Sequence, residues 1–147
     1  MRLALAFVVL LVAHPAQALS IIQCALGETP HGWIARAIVL AHEPGASKAI
    51  VADDLGLYYS GAPATARVTS QTASRLRFTW TIDKMSDVRG NLVSAMVYRA
   101  TLRRKSGTLS VSATPLGYSA NFSARGSCSP VGEAERARFR DLLKSVR

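Results

Sequence analysis

The stretch that decides the fold is Arg75-Leu-Arg-Phe-Thr-Trp-Thr-Ile-Asp83, in which polar and apolar side chains alternate strictly. An alternation with a period of two is the signature of a β-strand, because successive side chains lie on opposite faces of a sheet. Aromatic and branched side chains suit a half-buried sheet surface. We therefore expect Leu76, Phe78, Trp80 and Ile82 to face a core and the polar residues between them to face solvent.

Three further alternating runs follow, at residues 92–103, 108–114 and 118–125. A four-residue loop, 104–107, separates the first two, and the turn Pro115-Leu116-Gly117 separates the last two. These loop lengths predict that Leu102 lies beside Leu109 and Leu109 beside Phe122, with Tyr98, Ala113 and Tyr118 in a parallel row. One apolar and one polar face is typical of antiparallel strands.

Shorter candidate strands occur about every ten residues in the first half of the chain. They are found near residues 21–26, 33–40, 48–52 and 64–69. Such spacing is typical of all-β folds, so we predict a mainly antiparallel, seven- or eight-stranded small barrel or sandwich. No repeat or linker divides it, and residues 19–128 are expected to form one domain.

The N-terminus has the pattern of a secretory signal peptide. Residues 1–18 begin Met-Arg, continue through the uncharged run Leu3–Ala13 and end Ala16-Gln17-Ala18. A basic start, an apolar centre and small residues before the cut are what such signals need, and the apolar run is shorter than the roughly 20 residues of a membrane span. We predict cleavage after Ala18 and a periplasmic or secreted protein. The residues before Cys24 do not form a lipobox.

The chain has two cysteines, Cys24 and Cys128, near the two ends of the predicted β domain. In an exported protein an even pair predicts a disulfide, which here would close the domain. A redox or metal pair is the alternative. It is disfavoured because the sequence has no Cys-x-x-Cys motif and no histidine beside either cysteine.

Residues 129–147 change to a helical pattern. Ser129-Pro130 predicts an N-cap followed by proline in the first turn. An apolar stripe follows at helical spacing: Val131, Phe139, Leu142, Leu143 and Val146. The interpretation we favour is a basic amphipathic helix that lays this stripe over the sheet or a barrel end, and the alternative is contact with a membrane surface.

The net charge of +9 is compatible with binding to a nucleic acid, an anionic lipid or an acidic polymer. The charges are spread along the sequence, and an arginine- and alanine-rich composition is typical of GC-rich bacterial genomes. An exported protein rarely meets nucleic acid, so we expect no nucleic-acid partner. The pattern favours no particular oligomeric state.

Residues suited to catalysis are few. Once the signal peptide with His14 is removed, His31 and His42 are the remaining histidines, and neither belongs to a His-Glu-x-x-His motif. There is no Gly-x-Ser-x-Gly elbow, phosphate loop or dinucleotide fingerprint. Asp53-Asp54 is expected to end a strand. We predict no enzyme activity, metal or cofactor, and keep as an alternative a hydrolase that uses His31 or His42 with an acid.

The aromatic residues give the remaining indication of function. Trp80, Tyr98 and Tyr118 are expected inside, among alanines that leave room either for a packed core or for an apolar ligand. Tyr58 and Tyr59 are expected to be exposed, as at protein interfaces. The leading hypothesis is a binding module for an envelope protein, and the alternative is a small apolar-ligand carrier of lipocalin-like type.

Residues 92–128, which end in Gly126-Ser127-Cys128, resemble small exported bacterial β proteins, including lysozyme-inhibitor-like and lipocalin-like barrels. The resemblance implies a small disulfide-closed β fold. It assigns no functional residue.

Overall fold

The fold is a closed, eight-stranded antiparallel β-barrel with one C-terminal helix, as a computed structural model of residues 19–29 and 32–145 shows. The expected all-β class is confirmed, in its barrel form. The predicted signal peptide, residues 1–18, and His31 lie outside the described residues. The elements are β1 (Ser20–Leu26), β2 (Ala37–His42), β3 (Lys48–Asp53), α1 (Asp54–Ser60), β4 (Ala64–Gln71), β5 (Arg75–Ser86), β6 (Leu92–Arg103), β7 (Thr108–Pro115), β8 (Phe122–Pro130) and α2 (Glu133–Ser145).

Closure of the barrel occurs where β8 pairs with β1, and every other strand pairs with its neighbour in sequence. The predicted disulfide is confirmed, and Cys24 and Cys128 lie directly opposite each other in this pair. A cross-link between residues 104 positions apart stabilises the fold by about 4–5 kcal/mol in the chain-entropy model. Closure also removes the unpaired edges that an open sheet would offer to other chains.

The inward faces of the strands form one hydrophobic core. At its centre the rings of Phe78 and Trp80 stack with centroids 5.6 Å apart, and those of Trp80 and Tyr98 with centroids 4.9 Å apart. Trp33, from the connection between β1 and β2, is also buried in this core. Large rings dominate the energetics of the cores that contain them, and here they occupy the middle of the barrel.

The predicted register is confirmed between β6 and β7, where Leu102 pairs with Leu109 and Tyr98 with Ala113. It is wrong between β7 and β8, where Ala113 pairs with Phe122 and Leu109 with Gly126. The connection between these strands is the six-residue segment 116–121 and not a three-residue turn. Tyr118 lies in that segment with 63% of its surface exposed, so its expected inward position is also wrong.

Helix α1 was not predicted, because seven residues are too few for a helical pattern to stand out. Its ends are well defined. The Asp53 side chain accepts a hydrogen bond from the backbone N–H of Gly56 (2.7 Å), and Gly61 ends the helix with a φ of 71°.

Helix α2 begins at Glu133, so the predicted N-cap at Ser129 is wrong. Ser129 and Pro130 instead end β8 and pair with β1. Val131 and Phe139 pack with Ile21 and Ala41, which face outward from β1 and β2. The side chains of Leu142, Leu143 and Val146 lie outside the described residues. In the part of the chain that is described, no helix has the length and apolar character needed to cross a membrane.

Gly126 generates the first testable prediction, because it lies where β8 meets both β1 and β7. A Cβ at this position would overlap the backbone carbonyl of Ala25 and lie 2.8 Å from Cα of Leu26. We expect Gly126→Ala to lower the free energy of unfolding by about 3 kcal/mol, since the strand pair that closes the barrel must move apart.

The matched control is Gly132→Ala, because a Cβ at Gly132 would have no neighbour within 4 Å among the described residues. Urea unfolding followed by far-UV circular dichroism measures both variants. Equal stabilities for the two would show that β1 and β8 do not approach each other as closely as described.

Candidate functional site

The two ends of the barrel differ in what they expose. One end, which we call the α1 end, is formed by α1 and by the described residues of three connections, 27–29 with 32–36, 87–91 and 116–121. The opposite end is formed by the turns 43–47, 72–74 and 104–107.

Every large hydrophobic side chain that is exposed in the described chain belongs to the α1 end. The set, which we call the apolar rim, comprises Leu57, Tyr58, Val88, Leu92, Leu116 and Tyr118. Tyr58, Val88 and Leu92 are the most accessible, with 80%, 82% and 77% of their surfaces exposed. Scattered exposed apolar residues are normal in proteins, but six on a single end of a barrel are a feature of interaction surfaces.

Contacts at the α1 end bring these segments together. The Tyr59 hydroxyl donates to the carbonyl oxygen of Ser86 (2.8 Å), which ties α1 to the end of β5. Leu92 and Tyr118 line one open groove of 460 Å³ together with Trp33 and Phe122. Two residues of the apolar rim, Leu92 and Tyr118, therefore border a partly apolar groove.

The connection that carries Val88 is closed by hydrogen bonds to Asp87. One carboxylate oxygen of the buried Asp87 accepts hydrogen bonds from the backbone N–H groups of Arg89 and Asn91, both at 2.8 Å. Its other oxygen accepts from the side-chain amide of Asn91 (2.8 Å). Val88 is thus held outward by a hydrogen-bonded turn, which lowers the entropy cost of binding through it.

Asp53 supports the α1 end from inside. The side chain is 6% exposed, and burial raises the pKa of its carboxyl, while the hydrogen bond from the Gly56 backbone N–H lowers it. Asp53 is therefore the N-cap of α1. Strand β3 ends at Asp53, in agreement with the strand end predicted at Asp53-Asp54.

The predicted contact residues fall into two groups. Tyr58 and Tyr118 are exposed on the apolar rim, whereas Trp80 and Tyr98 are buried in the core. Tyr59 is half-buried, and its ring meets that of Tyr58 edge to face with centroids 4.8 Å apart. Tyr58 is therefore the exposed member of the pair and Tyr59 the one that anchors it.

Two polar groups in the core, the Tyr98 hydroxyl and the Trp80 indole N–H, differ in their hydrogen bonding. The Tyr98 hydroxyl donates to the carbonyl oxygen of Trp33 (2.8 Å) and lies 3.3 Å from Sδ of Met85. Burial raises the pKa of Tyr98, as do the nearby Asp53 and Tyr59, so this hydroxyl stays protonated. The indole N–H of Trp80 is buried and has no hydrogen-bond partner in the described part of the protein.

His42 lies at the opposite end of the barrel and is 3% exposed. Its Nε2 lies 3.3 Å from the carbonyl oxygen of Ala46, which can only accept, so Nε2 carries the proton. Burial lowers the pKa of His42, and the Arg104 guanidinium lowers it further, whereas the Ala46 hydrogen bond and Glu43 raise it. His42 is thus a buried neutral imidazole.

Four rim residues were not predicted: Leu57, Val88, Leu92 and Leu116. Val88 and Leu116 are each a single apolar residue among turn-forming or polar residues, and this local contrast was the available signal for them. Leu57 and Leu92 have apolar neighbours in the sequence, which gives no such signal. Among residues 19–29 and 32–145, no three histidine, cysteine or acidic side chains converge as metal ligands.

The lowered pKa of His42 predicts a pH dependence of stability. As the pH falls below about 6.5, the unfolded chain takes up a proton on His42 that the folded chain does not. The free energy of unfolding should therefore fall between pH 6.5 and the lowered folded-state pKa. In His42→Gln, whose amide can still donate to the Ala46 carbonyl, this contribution should vanish.

Urea unfolding at pH 7 and pH 5 measures the effect in both proteins. Because all other titrating groups are shared, the difference between the two pH dependences isolates His42. An identical loss of stability on acidification in both would contradict a buried neutral histidine.

The comparisons with known proteins add no assignment to this geometry. No protein-family model matches the chain, and neither a curated protein nor a solved structure matches it significantly.

Proposed function

We propose that this protein is an exported, non-enzymatic binding protein of the cell envelope, and that it docks a protein partner through the apolar rim. The observation that carries the proposal is the gathering of all described exposed large hydrophobic side chains at the α1 end. Tyrosine and large aliphatic residues at the centre of a patch contribute most of the affinity in many protein interfaces.

The support beneath the rim favours a preorganised binding surface. α1 is capped at both ends, the turn at Asp87 is hydrogen-bonded, and Tyr59 fixes α1 to β5. A preorganised surface loses less conformational entropy on binding than a mobile one. The partner's surface should be apolar where it meets Tyr58 and Leu92.

The groove beside Tyr118 favours a second candidate, a carrier of a small apolar ligand. Its 460 Å³ lies within the roughly 300–1,000 Å³ that ligand pockets occupy. The ligand would lie in this groove at the rim, against Phe122 and Tyr118, because the stacked rings of Phe78, Trp80 and Tyr98 occupy the barrel interior. The groove is open, which suits a protein partner better.

Site-specific photo-crosslinking tests the proposal in the cells that make the protein. A benzophenone side chain replaces Tyr58 in one version and Tyr118 in another, and replaces the exposed Lys105 at the opposite end in a control. We expect both rim positions to give an adduct with the same protein and position 105 to give none. Leu92→Asp should reduce that adduct at least about tenfold, since it places a charge in an apolar contact.

An adduct of equal yield from position 105 would contradict docking at the rim. A rim position that forms no protein adduct would favour the apolar-ligand carrier instead.

A further inference from the structure

The wall of the barrel formed by β4–β8 carries most of the net positive charge of the protein. These five strands contain seven cationic residues and one carboxylate, Asp83. The cations are Arg67, Arg75, Arg77, Lys84, Arg99, Arg103 and Arg125. They come from four different strands, and all of them lie on the outer surface of β4–β8, which we call the basic wall.

The strand register arranges the wall in rows of guanidinium and hydroxyl groups. One row runs from Arg67 through Thr79 to Arg99. Its neighbour runs from Arg77 through Thr101 and Ser110 to Arg125. Hydroxyl groups thus separate the charges by about two or three strand spacings of roughly 4.8 Å.

Two open grooves follow these rows. The larger, of 850 Å³, contains Arg67, Arg77 and Arg99, and the smaller, of 540 Å³, contains Arg99 and Arg125. Both include Arg99 and Thr101, so they form one continuous strip. From β4 to β8 the strip crosses four strand spacings, or roughly 19 Å along the barrel surface.

The fold does not neutralise this charge from within. Among the described residues, the structure pairs Arg36 with Glu28 (2.6 Å) and places no carboxylate against Arg67, Arg77 or Arg99. Like charges even lie directly opposite each other, Lys48 with Arg67 and Arg75 with Arg103. Such cross-strand pairs are destabilising, which an anionic ligand would offset.

The chemistry of the wall discriminates between kinds of anion. Phe78 and Trp80 border the larger groove but are only 1% and 3% exposed, so no ring is available for a nucleic-acid base to stack on. Of the exposed large apolar side chains of the described chain, Leu92 alone belongs to these strands, at their α1 end, and none of them lines the two grooves. The strip therefore lacks the anchors that membranes and protein partners use.

Guanidinium groups bind carboxylates bidentately, and serine and threonine hydroxyls can donate to and accept from sugar hydroxyls. We propose that the basic wall binds an extended, carboxylate-bearing polysaccharide along the strip from Arg67 to Arg125. This ligand lies on a different face from the apolar rim, so the two bindings are independent.

Titration with oligogalacturonate of defined length, followed by calorimetry at low salt, tests the proposal. We expect saturable binding that weakens as salt rises, because exposed charges are screened. A triple variant, Arg67→Gln, Arg77→Gln and Arg99→Gln, should bind at least about tenfold more weakly, since charge-assisted hydrogen bonds are lost.

The matched control removes three charges elsewhere, with Arg89→Gln, Arg138→Gln and Arg140→Gln, all of which are exposed. It should keep its affinity within about twofold, because these charges lie off the strip. An equal loss in both triple variants would overturn the proposal by showing that net charge alone attracts the ligand.

Two further probes make the result specific. Single-stranded DNA of matched charge and anionic phospholipid vesicles should both bind more weakly than oligogalacturonate, and tighter binding of either would overturn the proposal.

Tyr58→Ser should leave oligogalacturonate binding unchanged. This variant therefore separates a failure of the wall from a failure of the rim.

Discussion

The pairing of β1 with β8 is the interaction on which the rest of the structure depends. Cys24 and Cys128 face each other across it, and Gly126 lets the two backbones approach closely. Without this pair the sheet would have two free edges and no enclosed interior. With it, every strand has one face toward the barrel interior and one face toward the outside. The rings of Phe78, Trp80 and Tyr98 fill the interior.

Because the interior is filled, the surfaces available for binding are on the outside of the barrel. This outer surface has three distinct parts. Helix α2 covers the apolar face around Ile21 and Ala41. The basic wall lies on β4–β8, and the apolar rim surrounds the α1 end. One part is thus already occupied by the protein itself, and the other two are exposed surfaces of opposite character. A protein partner at the rim and a polyanion on the wall could be held at the same time.

The sequence predicted those features that depend on local alternation and short loops. The strand at residues 75–83 and the loop at residues 104–107 were both predicted in this way, whereas the disulfide was predicted from the pair of cysteines in a chain with a signal-peptide pattern. The β7–β8 register was missed because Pro115-Leu116-Gly117 resembles a complete turn, whereas the connection continues to Asn121. The alternation of β5 also shifts by one residue at Lys84, which has a positive φ, so that Asp83 and Lys84 are both exposed and Met85 faces the core. Alternation alone could not predict this shift.

The candidate sites could not be predicted from the sequence, because their residues come together only in the closed barrel. Leu57, Val88 and Tyr118 come from three separate connections, and only the barrel brings them to one end. Similarly, Arg67, Arg77 and Arg99 look evenly scattered in sequence and become a strip only through the register of β4, β5 and β6. Charge spread along a β sequence is therefore poor evidence against a charged surface.

The claim that the barrel is closed and filled can be measured directly at Trp80. Its indole N–H is buried without a hydrogen-bond partner in the described residues, so only the surrounding packing protects it from solvent. The protein has two tryptophans, so hydrogen exchange of both indoles can be followed by NMR. We expect the Trp80 indole to exchange as slowly as the most protected strand amides, through global unfolding. Rapid exchange under native conditions would contradict the account, because it would mean that water enters the barrel.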